Sequence, residues 1–180
     1  AMSPGVRVVI VGGGYIGLEA AAVAAKMGLS VTLIEAAPRI LQRVAAPETS
    51  AHFRTLHAGH GVTILEGIGL DRLTGEGQVT GARLADGREI PADLVIVGIG
   101  IQPNAELAEA AGLAITNGIE TDAHGRTSDP HIWAAGDCAS FPHGAVRIRL
   151  ESVGNAIDQA ECVAENMLGV ARDYVARPWF

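Results

Sequence analysis

The sequence predicts an α/β domain built on a parallel sheet, and three observations predict it. The apolar run Val8-Val-Ile-Val11 enters Gly12-Gly-Gly-Tyr-Ile-Gly17, and the small-residue stretch Leu18–Lys26 follows. A second apolar run, Ser30-Val-Thr-Leu-Ile-Glu35, ends in an acid 18 residues past Gly17. A third, Ala92-Asp-Leu-Val-Ile-Val97, leads into Gly98-Ile-Gly100. Strand, glycine turn, helix and strand in that order form the βαβ unit of a dinucleotide-binding, Rossmann-like domain. Gly12 suits the tight turn, Gly14 the close approach of backbone to a pyrophosphate, and Gly17 the close packing of helix on strand. The helix N-terminus, through Tyr15 and Ile16, offers unpaired N–H groups and a positive dipole end to the same group. Glu35 stands where an acid accepts hydrogen bonds from adenosine ribose hydroxyls and repels a 2′-phosphate. That favours NADH over NADPH, although Arg39 lies four residues on.

The other elements follow from pattern. Val6–Val11 reads as the first strand, Ile16–Met27 as the first helix with Glu19 in its first turn, and Gly28 as the glycine that ends it. Val31–Ile34 is the second strand. Pro47–His60 places Ala51, Phe53 and Leu56 at helical spacing, and Gly61–Glu66 is a third strand. Asp86-Gly87 between the runs Val79–Leu84 and Glu89–Ile90 signals a hairpin, which adds a β-meander to the parallel sheet. Leu94–Val97 is a buried strand whose carboxyl end, at Gly98, Ile99 and Gly100, is where open α/β sheets bind ligands. Ala105–Ala111 is a short helix closed by Gly112. Residues 1–117 then make one nucleotide-binding domain. In residues 118–180, Ile119–Asp122 and His131–Ala135 read as strands, Gly136-Asp137 as a cap, and Ser152–Leu168 as an amphipathic helix. That is too little for an independent core.

Composition excludes several classes of function. The chain has 180 residues, 48% of them hydrophobic and 4% aromatic, with a net charge of −7 and no basic cluster. That balance argues against nucleic acid as a partner, and no apolar run reaches membrane-spanning length. Cys138 and Cys162 are isolated, which points to a reducing, cytoplasmic setting. The six histidines, at 52, 57, 60, 124, 131 and 143, show no metal-ligand spacing, so none is assigned to a metal. No Ser/His/Asp hydrolase elbow is present. Ala1 before Met2 is expected to be an expression scar, and Arg177-Pro-Trp-Phe180 is an aromatic end that seeks burial. The chain is expected to be a piece of a longer protein.

Four segments carry a family resemblance: Val8–Glu35, Leu94–Asn104, Thr127–Ala139 (TSDPHIWAAGDCA) and Arg149–Ala160 (RLESVGNAIDQA). Together with the terminal Arg-Pro-Trp-Phe they make the chain similar to FAD- and NAD(P)-dependent pyridine nucleotide reductases. Within that family the likeness is to the NADH-dependent ferredoxin, rubredoxin and putidaredoxin reductases. The resemblance implies NAD and FAD as cofactors and an iron–sulfur protein of ferredoxin type, or a rubredoxin, as electron acceptor. It implies a split FAD domain, with residues 118–180 as its C-terminal portion and the N-terminal flavin half and an interface domain lying outside this stretch. It also implies roles. Glu19 orients the nicotinamide, Tyr15 gates its pocket, Gly98, Ile99 and Gly100 face the NAD, and Gly136, Asp137, Ser152 and Val153 touch the FAD. Without its flavin half the stretch is expected to catalyse nothing and to favour homodimer formation through exposed apolar surface. Two alternatives stay open: a stand-alone NAD-binding sensor or scaffold, and a piece of a disulfide or peroxide reductase of the same superfamily.

Overall fold

Successive residues of a strand point to opposite faces of a sheet, and in β1 (Arg7–Val11) both faces are apolar and buried. This follows from what covers the sheet in the computed structural model of the chain, which describes residues 3–177. β1 pairs in parallel with β2 (Ser30–Glu35), and β2 in turn with β3 (Thr63–Glu66). On the other side β1 pairs in parallel with β7 (Leu94–Val97), giving the order β3-β2-β1-β7. Val8 and Ile10 face a helical layer, packing with Leu18, Ala21 and Ala24 of α1 (Tyr15–Lys26), with Leu33, and with Phe53 of α2 (Pro47–Gly59). Val9 and Val11 face the opposite way, against Ala82, Leu84 and Ala92.

The second layer is an antiparallel meander of β4 (Leu70–Thr74), β5 (Gly81–Leu84) and β6 (Glu89–Pro91). The expected Asp86-Gly87 hairpin joins β5 to β6, with Gly87 at φ 88°. β4 is an additional strand, absent from the sequence pattern because three of its five residues face water. α1 ends as expected at Gly28. Its positive φ lets Gly28 and Leu29 donate to the carbonyls of Ala25 and Ala24, the paired bonds of a Schellman cap. α1 begins one residue earlier than expected, at Tyr15, so its first turn contains no acid and Glu19 opens the second turn. That removes most of the dipole argument for an acid there, since the effect fades within one turn.

The chain divides into two compact units, residues 1–100 and 101–180. The second contains α3 (Glu106–Ala110), β8 (Ile119–Glu120), a 310 turn at Gly136–Cys138, β9 (Ala139–His143), β10 (Val146–Ile148) and α4 (Val153–Met167). β8 and β9 run parallel, and β9 and β10 form an antiparallel hairpin. The core of this unit is formed around Phe141, Cys162 and Val163, and the ring of Tyr174 meets Phe141 edge-on at 5.4 Å. The strand expected at His131–Ala135 does not form. Only Trp133 bridges, to Arg126, whose guanidinium lies 4.8 Å from the centre of the indole ring. Hydrogen bonds among Thr127, Asp129 and Ile132 turn the chain there and prevent extended pairing. Residues 178–180 of the terminal aromatic motif lie outside the described residues, as do Ala1 and Met2.

Candidate functional site

The carboxyl ends of β1, β2 and β7 frame a cleft of about 380 Å³, lined by Gly12–Tyr15, Glu35, Arg39 and Gly98–Gly100 among others. Its floor exists only because glycines stand there. Gly12 has φ 107°, and a Cβ on it would lie 2.2 Å from the Gly98 carbonyl oxygen. A Cβ on Gly17 would lie 1.9 Å from the Gly12 oxygen. The first and last glycines of the motif are therefore packed against backbone. Gly14 differs, because a Cβ there would meet nothing within 4 Å. The space above it belongs to the cleft, and α1 begins at the next residue. First-turn N–H groups have no partner within the helix, so they are free to bind an anion placed there.

Sequence reasoning passed over the middle glycine, Gly13. A Cβ there would strike Ile40 at 2.6 Å and crowd the Glu35 carboxylate. Its N–H donates to Glu35 Oε2 at 2.6 Å, and the Ala37 N–H donates to Oε1 at the same distance. The Gly13 carbonyl accepts from Leu41, which is held in the left-handed region at φ 55°. A buried leucine in that conformation is strained. Here it is over-determined by the Gly13 bond on one side and burial on the other. The segment after Glu35 is thus fastened back onto the glycine loop.

A second acid fixes the same segment. Glu66, paired in register with Glu35, accepts from the Ile40 N–H at 2.8 Å and from Arg54 at 2.7 and 2.8 Å. Burial alone raises its pKa. The hydrogen bonds from Arg54 and Ile40 and the charge of Arg54 together outweigh burial and hold the carboxyl below its ordinary value. Arg39 reaches across to α2, where its Nη1 donates to Ser50 Oγ at 2.6 Å, while its Nη2 donates to the nearby Gln42 carbonyl at 3.3 Å. The acid of the cleft and the arginine four residues on therefore have separate partners.

Of the residues singled out from the sequence, Gly12, Gly14, Tyr15, Glu35, Gly98, Ile99 and Gly100 line this one cleft. Gly17 lies beneath it, and Ile16 is exposed at the start of α1. Glu19 lies outside it, on the rim of a neighbouring apolar groove between α1 and α2 that Tyr15 also borders. His57 is buried in that groove. Burial first, and then the charge of His60, holds its pKa below the ordinary imidazole value. Among the described residues no cluster of histidine, cysteine or carboxylate side chains could hold a metal.

In the second unit, Gly136 and Asp137 sit on the 310 turn facing α4. Gly136 has φ 78°, and its N–H donates at 2.8 Å to Oε1 of Gln159, a fully buried side chain on α4. Asp137 is exposed, and its carbonyl accepts from Arg149. Ser152 caps α4, its hydroxyl accepting from the Asn155 N–H at 3.1 Å, so Val153 is the first helical residue and is 79% exposed. Gln159 and Asn155 escaped notice within the Arg149–Ala160 segment, because a glutamine or asparagine on a helix usually faces water.

Residues 2–160 match the family model described as pyridine nucleotide-disulphide oxidoreductase. The chain belongs to this family. The pyridine nucleotide-disulphide oxidoreductases most similar to it include a ferredoxin–NAD(P)(+) reductase of a Sphingomonas species. That protein is 52% identical over 98% of this chain and 44% of its own length. The putidaredoxin reductase of Pseudomonas putida is 49% identical over 97% of this chain and 42% of its own length. Among solved structures, a ferredoxin reductase from Rhodopseudomonas palustris superposes with a TM-score of 0.93 at 47% identity, over 97% of this chain and 44% of that one. The reductase of a covalent putidaredoxin reductase–putidaredoxin complex superposes at 0.90 and 48% identity, over 99% of this chain and 44% of that one. The chain thus spans less than half the length of the relatives it matches. No described helix is long and apolar enough to cross a membrane.

Proposed function

We propose that this chain is the NADH-binding portion of a flavoprotein reductase that passes hydride from NADH to FAD and then electrons singly to a ferredoxin-type iron–sulfur protein. The observation that carries the reading is the convergence of Gly12, Gly14, Glu35 and Gly98–Gly100 on one cleft. The residues present fit a dinucleotide. Gly14 leaves room for a pyrophosphate beside the start of α1, and the part-buried Glu35 carboxylate, oriented by two backbone N–H groups, keeps lone pairs for ribose hydroxyls. A 2′-phosphate would meet that negative charge, so NADH is favoured over NADPH. Gly98, Ile99 and Gly100 hold the wall from β7, and Tyr15 stands at the mouth as a gate. Glu19 orients the nicotinamide from the rim of the adjoining groove.

On the flavin side, Asp137 is the exposed acid for a ribityl hydroxyl, on a turn that Gly136 and Gln159 fix to α4. Val153 offers a first-turn N–H, and Ser152 holds that turn in place. The flavin, when bound, supplies the conversion of a two-electron donor into single electrons. The chain's own residues bind, orient and polarise, and none needs to act as an acid or base. The relatives named as ferredoxin and putidaredoxin reductases support the acceptor class. Free Cys138 and Cys162 support a reducing, cytoplasmic setting, and exposed Leu107, Val153 and Ile157 support self-association of the isolated stretch.

Calorimetric titration of the 180-residue chain with NADH and NADPH tests the reading. Saturable NADH binding tighter than NADPH binding, with no ferricyanide reduction, is the expected result. Absence of saturable NADH binding overturns it.

A further inference from the structure

We propose that Ser50, a buried residue of α2, sets the preference for a free ribose 2′-hydroxyl by holding Arg39 against the far wall of the cleft. The inference rests on the reading of this cleft as an NADH site and adds a positioning residue to it. Four observations carry it. Arg39 lies in the cleft wall close in sequence to Glu35, where a guanidinium could meet a 2′-phosphate with charge-assisted hydrogen bonds. Its Nη1 instead donates to Ser50 Oγ at 2.6 Å and its Nη2 to the Gln42 carbonyl. Ser50 is wholly buried and its hydroxyl proton is committed to the Ile40 carbonyl at 2.7 Å, so the oxygen facing Arg39 is a fixed acceptor. The backbone around Arg39 cannot shift to compensate, because Ile40 is tied to Glu66 and Leu41 to Gly13.

The anchored guanidinium therefore has one route to a phosphate, which is to leave Ser50. Doing so strands a buried hydroxyl oxygen and exchanges one charge-assisted bond for another. The gain from a 2′-phosphate is cancelled, while the repulsion from Glu35 remains. An NADH ribose makes no demand on Arg39 and is unaffected. Selectivity is then set by a side chain that never touches the nucleotide.

The test is binding of NADH and NADPH to the whole 180-residue chain and to three variants, with circular dichroism confirming the fold. Ser50→Ala removes the acceptor and frees Arg39. NADPH is expected to bind about tenfold more tightly, the scale of one charged hydrogen bond, with NADH affinity nearly unchanged. Ser50→Ala combined with Arg39→Ala is expected to abolish that gain, which assigns it to Arg39 and not to Arg43, the other arginine that lines the cleft. Arg39→Ala alone does not disturb Ser50's bond to Ile40 and keeps the proposal testable if Ser50→Ala folds poorly. It is expected to leave the NADPH-to-NADH affinity ratio as it stands. A selective loss of NADPH affinity in Arg39→Ala would show that the arginine already reaches the phosphate and would overturn the proposal. So would an unchanged ratio in folded Ser50→Ala. Failure of the unaltered chain to bind either nucleotide would strike the reading of the cleft itself, and this inference with it.

Discussion

Glu35 Oε2 accepts the N–H of Gly13 at 2.6 Å, joining the end of β2 to the middle of the glycine loop across 22 residues of sequence. The acid assigned to the ribose is therefore also the clasp of the loop assigned to the pyrophosphate. Glu35→Ala is expected to weaken NADH binding at least about tenfold, since a charged acceptor and the loop geometry are lost together. Glu35→Gln keeps one acceptor oxygen and should lose less. Paired titrations of the two variants with NADH measure the difference, and equal losses would show that Glu35 acts through charge alone.

Two glycines of the motif, Gly14 and Gly17, should separate by stability and binding. Gly17→Ala places a methyl 1.9 Å from the Gly12 oxygen, and neither atom belongs to a flexible side chain. It is expected to cost about 3 kcal/mol or prevent folding. Gly14→Ala has open space and φ −81°, which alanine adopts without strain, so its stability should change by less than about 0.5 kcal/mol. Its methyl enters the cleft, and NADH affinity should fall. Urea unfolding beside NADH titration checks both.

Acid should destabilise the first unit in part through Glu66 and Asp93, two of its carboxylates held below their ordinary range. Asp93 is held there by the Arg7 side chain and then by the Arg7 main-chain N–H. Glu66 is held there once Arg54 and Ile40 outweigh burial. A depressed carboxyl pKa contributes stability that is complete above the unfolded value, near about 4. That contribution is lost as pH falls through the folded value. Asp93 is largely exposed and its pair screened, whereas the Glu66 side chain is only 17% exposed. Glu66→Gln should therefore flatten the fall in urea midpoint between pH 5 and 3 more than Asp93→Asn does. The reverse order would assign the acid sensitivity to the strand-edge pair.

Gln159 gives a test in the second unit. Replacement by leucine preserves volume but leaves the Gly136 N–H without its acceptor, at an expected cost of about 2 kcal/mol. Gln159→Glu keeps an acceptor but buries a charge. It should be the less stable of the two at pH 7 and recover as pH falls and the carboxyl takes up a proton. Thermal melts at pH 7 and 5 distinguish the cases.

The parallel sheet was legible because β1 and β2 are continuous apolar runs, the mark of strands buried on both faces. The glycine loop was legible because each glycine has a local steric reason. β4 was not, since three of the five residues of Leu70-Asp-Arg-Leu-Thr74 face water and only Leu70 packs against the core. The run His131–Ala135 misled in the opposite direction. Its apolar content serves packing, while Thr127 and Asp129 use their polar atoms to turn the chain. In and behind the cleft, the signals missed were Gly13, which lines it, and Ser50 and Glu66, which fasten its wall. Their roles depend on partners 10 to 26 residues away, where no periodicity links donor to acceptor.

Every described residue that lines the cleft assigned to the nucleotide precedes Ile101, and the clasps that shape it, Gly13 to Glu35, Arg39 to Ser50 and Ile40 to Glu66, are closed within that same stretch. The cleft is therefore inherited as one contiguous length of gene. A recombination that exchanged everything after Gly100 would carry all of its walls along unbroken, and a crossover between Gly13 and Glu35, or between Arg39 and Glu66, would part at least one clasp from its partner.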